Sequence, residues 1–250
     1  MGFESHKLEW EEYEILEHYE HVKHATFLRH GGTSTKHFAS LNLGDSVGDN
    51  REHLKANRKK VHDFLELDHI VYPTQVHGTD VALVTKDNLK KPQADALITK
   101  DPGIGLAVVH ADCQAAIFYD PTHDAVGIAH AGYRGLVNGI YKNVLESMEK
   151  EFGSKPGDVL VAISASLGPE CSEFKNFKEE FPEDLWSYQE KENHFNLWEI
   201  AKKILMDAGM HDQNIEITQT CTCCNEKDYF SYRREKDTGR HATYVALKQT

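Results

Sequence analysis

The 250-residue chain has no apolar stretch near the ~18 residues that a membrane-crossing helix requires, which excludes a helical integral membrane protein. Basic charge is also in short supply. Forty Asp and Glu face 28 Lys and Arg, a formal net charge of −12, and residues 1–20 alone carry seven Glu against one Lys. Proteins that bind nucleic acid by counterion release show the opposite sign clustered on one face, so nucleic acid is set aside as a partner. An anionic substrate has to be met by a local arginine pocket working against the overall field. Cysteine is sparse and odd in number, with five residues, and the opening Met1-Gly2-Phe3-Glu4 has no basic-then-apolar leader. A reducing, cytoplasmic location is the expectation. Cys221, Cys223 and Cys224 crowd together, but C-x-C-C is not the paired C-x2-C spacing of a zinc knuckle. There is no Walker sequence, and Gly103-x-Gly105 lacks a third glycine, so ATP or NAD chemistry has no support.

No repeat, low-complexity tract or Pro/Gly/Ser linker divides the chain, which predicts an acidic lead-in over 1–21 and a single domain over 22–250. Val22 to Arg29 reads as a strand, followed by a glycine-bearing loop, Gly31-Gly32-Thr33-Ser34. Asp49 or Asn50 caps a helix running to about Leu67, with Leu54, Val61, Phe64 and Leu65 on its buried side. Strands are expected near Ile70–Tyr72, Asp80–Val84, Ala94–Thr99, Val159–Ala165, Ile215–Thr218 and Thr243–Leu247, with a helix near Leu197–Ala208. The stretch from Gly103 to Ala131 holds continuous apolar runs, the mark of strands buried on both faces. Asp120-Pro-Thr-His-Asp124 is turn chemistry that makes a hairpin of the last two. A helix opens at Gly132-Tyr-Arg-Gly135. Strands outnumber helices, so the expected class is α+β with mixed sheets.

Hairpin register gives the sharpest functional inference. A turn centred on Thr122 lays Cys113 opposite His130 to within a residue, a thiol and an imidazole at the open end of one hairpin. These are half of a zinc site, and His77 in Thr74-Gln-Val-His-Gly78 is the best third ligand. Three protein ligands with an open fourth position describe a catalytic zinc, whose bound water is acidic near neutral pH. The same spacing is met by a buried core cysteine and a satisfied strand-end histidine. His110 is a further ligand, a nearby base or a packing residue, whereas His18, His21 and His24 read as a solvated edge.

The blocks Arg29-His-Gly-Gly-Thr-Ser34, Ser40-Leu-Asn-Leu-Gly44, Gln75-Val-His-Gly78, Ala94-Asp-Ala96, His110-Ala-Asp-Cys113, Ala129-His-Ala-Gly-Tyr-Arg-Gly135 and Phe230-Ser-Tyr-Arg-Arg234 follow one another in the order of the laccase-domain family. That family is also called multicopper polyphenol oxidoreductase or peptidoglycan editing factor, and the chain resembles it from about residue 22 to 247. The resemblance implies an α/β/β/α layering of mixed sheets, similar to the cytotoxic necrotizing factor-like deamidase fold. It implies His77, Cys113 and His130 as the metal triad. It also implies a purine nucleoside phosphorylase that cleaves adenosine, inosine and methylthioadenosine with phosphate and deaminates adenosine. Two departures bear on base selectivity: Tyr133 replaces a common Trp, and Ser164-Ala-Ser-Leu-Gly-Pro-Glu170-Cys171 replaces a run closer to Gly-Pro-x-Ile-Gly-Pro-Cys-Cys.

Phosphorolysis needs planar, permanently charged arginine forks for phosphate, and Arg29, Arg134 and Arg233 are the candidates. Arg234 reads as a surface ion-pairing residue. Asp112 is placed for proton transfer or for orienting a metal-bound imidazole. Gln75, Ser40 and Asn42 are hydrogen-bond partners for sugar or base, or loop residues satisfying their own backbone. P-C-x-x-C does not occur, so the complete cytidine-deaminase plan is absent. Repeated His-x-His pairs of coupled multicopper oxidases are absent too, which reduces phenol oxidation to incidental activity of a single bound copper, Cu2+ being the other ion this donor set accepts. Two rival readings remain open. One is a cysteine hydrolase with Cys113 as nucleophile and His130 as base; the other is a non-catalytic purine-binding regulator of peptidoglycan editing.

Overall fold

The computed structural model describes residues 7–249. Among them, β1 (Trp10–Glu11), β2 (Val22–Phe27), β3 (His69–Val71), β6 (Ile104–His110) and β13 (His241–Leu247) build one sheet in the order β1-β2-β13-β6-β3. A second sheet takes β4 (Val81–Leu83), β5 (Ala96–Thr99), β7 (Gln114–Asp120), β8 (Ala125–Ala131), β9 (Leu160–Ile163) and β12 (Ile215–Ile217) in the order β12-β9-β7-β8-β5-β4. Each contains parallel and antiparallel pairs, so the α+β class with mixed sheets holds. A small ribbon, β10 (Gln189–Lys191) with β11 (His194–Phe195), stands apart. Among the described residues no helix is long and apolar enough to cross a membrane.

Apolar faces decide the layering. Leu106, Val108 and Val245 of the first sheet meet Ile117, Val126 and Ile128 of the second in one buried cluster between them. The other face of the first sheet is covered by α1 (Arg51–Leu65) through Val61 and Leu65 against Phe27 and Tyr244. The other face of the second is covered by α3 (Ile140–Phe152) and α5 (Leu197–Asp207), with Tyr141, Val144, Ile200 and Leu205 packed on Phe118 and Val161. β7 and β8 are buried at every residue, as their unbroken apolar runs require.

Local departures from the sequence reading have local causes. Asn50 caps α1 by accepting the Glu52 amide at 2.8 Å, but Phe64 is 42% exposed because it lies on the helix flank, beside Trp10 at a ring separation of 4.4 Å. The helix expected from Gly132 is two: α2 (Tyr133–Val137) ends at Asn138-Gly139 before α3 begins. The expected lead-in lies outside the described residues over 1–6; from residue 7 it joins the first sheet through β1, and its Tyr13 and Leu16 are buried between the sheets. In the hairpin, Asp120 pairs with Ala125 and Ala115 with His130, so the turn centre falls between Thr122 and His123. Cys113 is therefore the diagonal neighbour of His130, two residues along the same face, rather than its direct partner.

His241, at the start of β13, is fully buried; its Nε2 accepts the Phe230 amide at 2.7 Å and its Nδ1 lies 3.1 Å from the Phe27 carbonyl. Only the neutral ring satisfies both contacts, and burial holds its pKa down to about 4 from the usual 6.5. The unfolded chain thus binds one more proton between those values, so stability rises with pH across that window, by up to about 3 kcal/mol from this residue. Equilibrium unfolding from pH 4 to 6.5 should show a shallower slope for His241→Gln than for wild type; equal slopes would assign the pH dependence elsewhere.

Candidate metal centre and flanking clefts

The chain crosses from the first sheet to the second through residues 72–80, between β3 and β4, and again through Ala111-Asp112-Cys113, between β6 and β7. The first crossing carries His77, the second Cys113, and the end of neighbouring β8 carries His130. The three residues converge, with one donor atom from each lying within 4.8 Å of the others. The rings of His77 and His130 meet edge to face with centroids 4.8 Å apart. His77 and Asp112 hold φ values of 59° and 85°, a left-handed backbone that non-glycine residues adopt only where surrounding contacts impose it. A Cβ at residue 132 would stand 2.8 Å from His77 Cδ2 and 3.3 Å from Cys113 Sγ, so the backbone closes over the triad only as Gly132.

Asp95 imposes those contacts at His77. Its side chain is fully buried just before β5, and its carboxylate accepts the amides of Val76 at 3.1 Å, His77 at 3.0 Å and Gly78 at 2.7 Å. His130 Nδ1 lies 2.9 Å from the same carboxylate. Burial alone would raise the Asp95 pKa; the His130 imidazole and the amides outweigh it and hold the group below the usual carboxylate range. With Nδ1–H given to Asp95, His130 presents Nε2 to the triad. Burial would likewise raise the Cys113 thiol, yet His130 and His77 bring it down to about 6, and the thiolate with Asp95 lifts His130 to about 9. Thiolate and imidazolium stabilise one another here as one coupled pair. Two imidazoles and a thiolate with room for a fourth ligand fit a zinc site of the catalytic type, and the same donors accept copper.

Two clefts meet at the triad. One of about 280 Å3 is lined by His77, Asp112, Cys113, Arg134, Arg233 and Lys236. The other, of about 620 Å3, is lined by Gln75, His77, His110, Cys113, His130 and Arg240. Tyr232 lines both. Arg134 is exposed at the start of α2, its guanidinium 4.6 Å from the Tyr133 ring centre, and among the described residues no carboxylate pairs with it. Arg233 faces the same cleft while donating to the carbonyls of Cys171 at 2.6 Å and Glu173 at 3.2 Å.

Other sequence candidates stand elsewhere or act differently. Arg29 lines neither cleft; it donates to the carbonyls of Ala39 and Glu226 and lies over Phe230. Ser40 joins Gly32 to the Arg29 carbonyl, and buried Asn42 accepts the amides of Gly44 and Arg240. Gln75 reaches the larger cleft with its amide already paired to both backbone groups of Val109 at 2.8 Å. Asp112 does not orient an imidazole: its oxygens accept Thr222 Oγ1 at 2.7 Å and the Arg233 amide at 2.5 Å, and Asp95 fills the orienting role. His110 is buried against Thr243 Oγ1 at 2.9 Å, with burial holding it neutral, and is not among the converging donors. His21 and His24 bond to Asp124 and the Tyr13 amide, and with His18 form no metal-binding group among the described residues. Arg234 pairs with the Glu235 carboxylate at 2.9 Å, as expected, and also donates to the carbonyls of Thr222 and Cys223. Sequence reasoning missed Asp95 and Arg240. A lone acid heading the apolar run Ala94–Ile98 was the signal for the first; Arg240 had none.

This fold and centre define a member of the laccase-like metal-site proteins: the chain belongs to the family described as multi-copper polyphenol oxidoreductase laccase, which matches residues 23–248. Among relatives, the chain is 32% identical over 242 residues to a protein named purine nucleoside phosphorylase YlmD from Geobacillus stearothermophilus, covering 88% of each. It is 33% identical over 230 residues to purine nucleoside phosphorylase YfiH of Escherichia coli K12, covering 88% of this chain and 91% of that one. The crystal structure of Bacillus licheniformis YfiH superimposes with a TM-score of 0.87 at 31% identity, over 93% of this chain and 95% of that one.

Outer partners of metal-bound histidines typically contribute 10–100-fold in metal affinity. Asp95→Asn should accordingly lose zinc to a competing chelator at about 10–100-fold lower chelator concentration than wild type. An unchanged competition curve would remove Asp95 from the metal's support.

Proposed function

We propose that this chain is a zinc-dependent purine nucleoside phosphorylase acting on adenosine, inosine and methylthioadenosine, with adenosine deamination as a second activity. The observation that carries the reading is the meeting of a His-Cys-His donor set with an arginine-lined cleft in a strongly acidic chain. The names of its relatives support the phosphorylase part of it. His77, Cys113 and His130 would hold the metal, which when bound supplies a Lewis acid where the two clefts join.

In phosphorolysis a phosphate oxygen bonds to C1′ of the ribose as the bond from C1′ to the purine breaks, and the departing base takes up a proton. Among the described residues Arg134 is the guanidinium of the smaller cleft with no carboxylate or carbonyl partner, and it binds phosphate there as a bidentate fork. Arg233 and Lys236 add positive charge at the same wall, which draws the anion against the field of the whole protein. Asp112 holds the Arg233 backbone and so sets that wall. Gln75 and Arg240 line the larger cleft, beside His110, and form the polar surface that receives sugar or base. Arg29, Ser40 and Asn42 contribute by holding the chain around it. A cytoplasmic enzyme of this kind takes phosphate and nucleosides from solution, with neither nucleic acid nor membrane as partner.

The Cys113–His130 pair also favours a second reading, a cysteine hydrolase, because its thiol is ionised near neutral pH. Alkylation-sensitive turnover of an ester or amide by metal-free protein would support that reading.

With inosine and phosphate, purified protein should release hypoxanthine and ribose 1-phosphate. Intact nucleoside over a broad range of pH and phosphate concentration would reject the reading, and tight purine binding without turnover would favour a regulator. Arg134→Ala should raise the KM for phosphate roughly 10–100-fold, the worth of a charge-assisted contact. A KM unchanged from wild type would take that arginine out of the phosphate site.

A further inference from the structure

A second group of soft donors lies outside the His77-Cys113-His130 centre. The sulfurs of Cys171 and Cys224 are 3.5 Å apart, Cys224 Sγ lies 3.3 Å from Glu170 Oε1, and Cys221 Sγ accepts the Gly168 amide at 3.2 Å. One donor atom each from Glu170, Cys171, Cys221 and Cys224 falls within 4.8 Å of the others. The sequence separates these residues into two runs; an isolated parallel bridge between Ser166 and Cys221 brings the runs together.

Two further features shape the cluster. A Cβ at residue 168 would stand 2.7 and 2.8 Å from the Glu170 carboxylate oxygens and 2.8 Å from Cys221 Cβ. Glycine there is what lets the carboxylate fold back over the thiol. The flanking cations bond the backbone of both runs: Arg233 donates to the Cys171 carbonyl, Arg234 to those of Thr222 and Cys223 while pairing with Glu235, and Lys191 to that of Glu170. Both runs are thereby held in place while the acids themselves face one another. Three thiols and a carboxylate repel when ionised together, and a cation among them reverses the sign of that interaction.

We propose that Glu170, Cys171, Cys221 and Cys224 form a second metal site, which takes Zn2+ through three sulfurs and one carboxylate oxygen. Four protein ligands complete a tetrahedral shell and leave no open position, so the role is structural. As the ion binds, the three thiols release their protons to solvent and no electrons move. The ion ties 168–171 to 221–224. Thr222, between two of the ligands, holds Asp112 Oδ1, so the site also fixes the wall of the smaller cleft.

The test uses the full chain carrying His77→Ala and Cys113→Ser, which removes the first centre, kept reduced and dialysed against Zn2+ or Co2+. A single equivalent of zinc per chain should remain, and cobalt should give an intense near-ultraviolet sulfur-to-metal band. Adding Cys171→Ser and Cys224→Ser should abolish both, and Glu170→Gln should weaken zinc while retaining the band. Should those substitutions prevent folding, the wild-type chain gives the same answer: zinc should protect Cys171 and Cys224 from alkylation. Absence of bound metal, metal that survives loss of both cysteines, unprotected thiols, or a Cys171–Cys224 disulfide in metal-free protein as isolated would each overturn the proposal. All these readouts are independent of nucleoside turnover.

Discussion

A charge buried away from water persists only where donors surround it, and the carboxylate of Asp95 is surrounded by four. Three are consecutive backbone amides of the 76–78 loop and the fourth is the imidazole of His130. One side chain thus sets the left-handed turn that presents His77, fixes the tautomer of His130 and anchors a loop between two sheets to a strand of the second. The hydrogen bonds are charge-assisted, about twice as strong as neutral ones, which offsets the strain of a non-glycine residue at positive φ. Cys113 enters from the other crossing, so both passages from the first sheet to the second meet at the same point.

Arginine serves two ends in this molecule. Arg29 and Arg234 are committed to main-chain carbonyls and to the Glu235 carboxylate, Arg29 reaching Glu226 far along the chain and Arg234 the nearby Thr222 and Cys223. Arg134 keeps its fork free beside the triad, and Arg233 does both, holding Cys171 and Glu173 while facing the cleft. A protein with a net charge of −12 therefore offers anions a local positive wall, and what distinguishes the arginines is which of them still have unspent donors.

Much of this was legible in the residues. Continuous apolar runs gave β7 and β8, turn chemistry gave their hairpin, and register brought Cys113 near His130, although a half-residue shift of the turn centre made them diagonal neighbours. Family resemblance and loop position both pointed to His77. What escaped notice was set by contacts without local signature. Asn42 read equally as a ligand-facing amide or as a loop residue bonded to backbone, and the Gly44 and Arg240 amides decide for the second. Arg29 sits in a functional-looking block yet turns toward residues almost two hundred positions away. Cys171 met Cys221 only through a bridge between segments over fifty residues apart, which no spacing rule contains.

One divalent ion should sit among three side chains, two of which, His77 and His130, a single buried acid orients. Crystals grown with zinc and measured on both sides of its absorption edge test it directly. An anomalous peak should lie about 2.3 Å from Cys113 Sγ and about 2.0–2.1 Å from His130 Nε2 and a ring nitrogen of His77. Zinc absent from that position in a well-ordered structure, with the three side chains pointing apart, would contradict it.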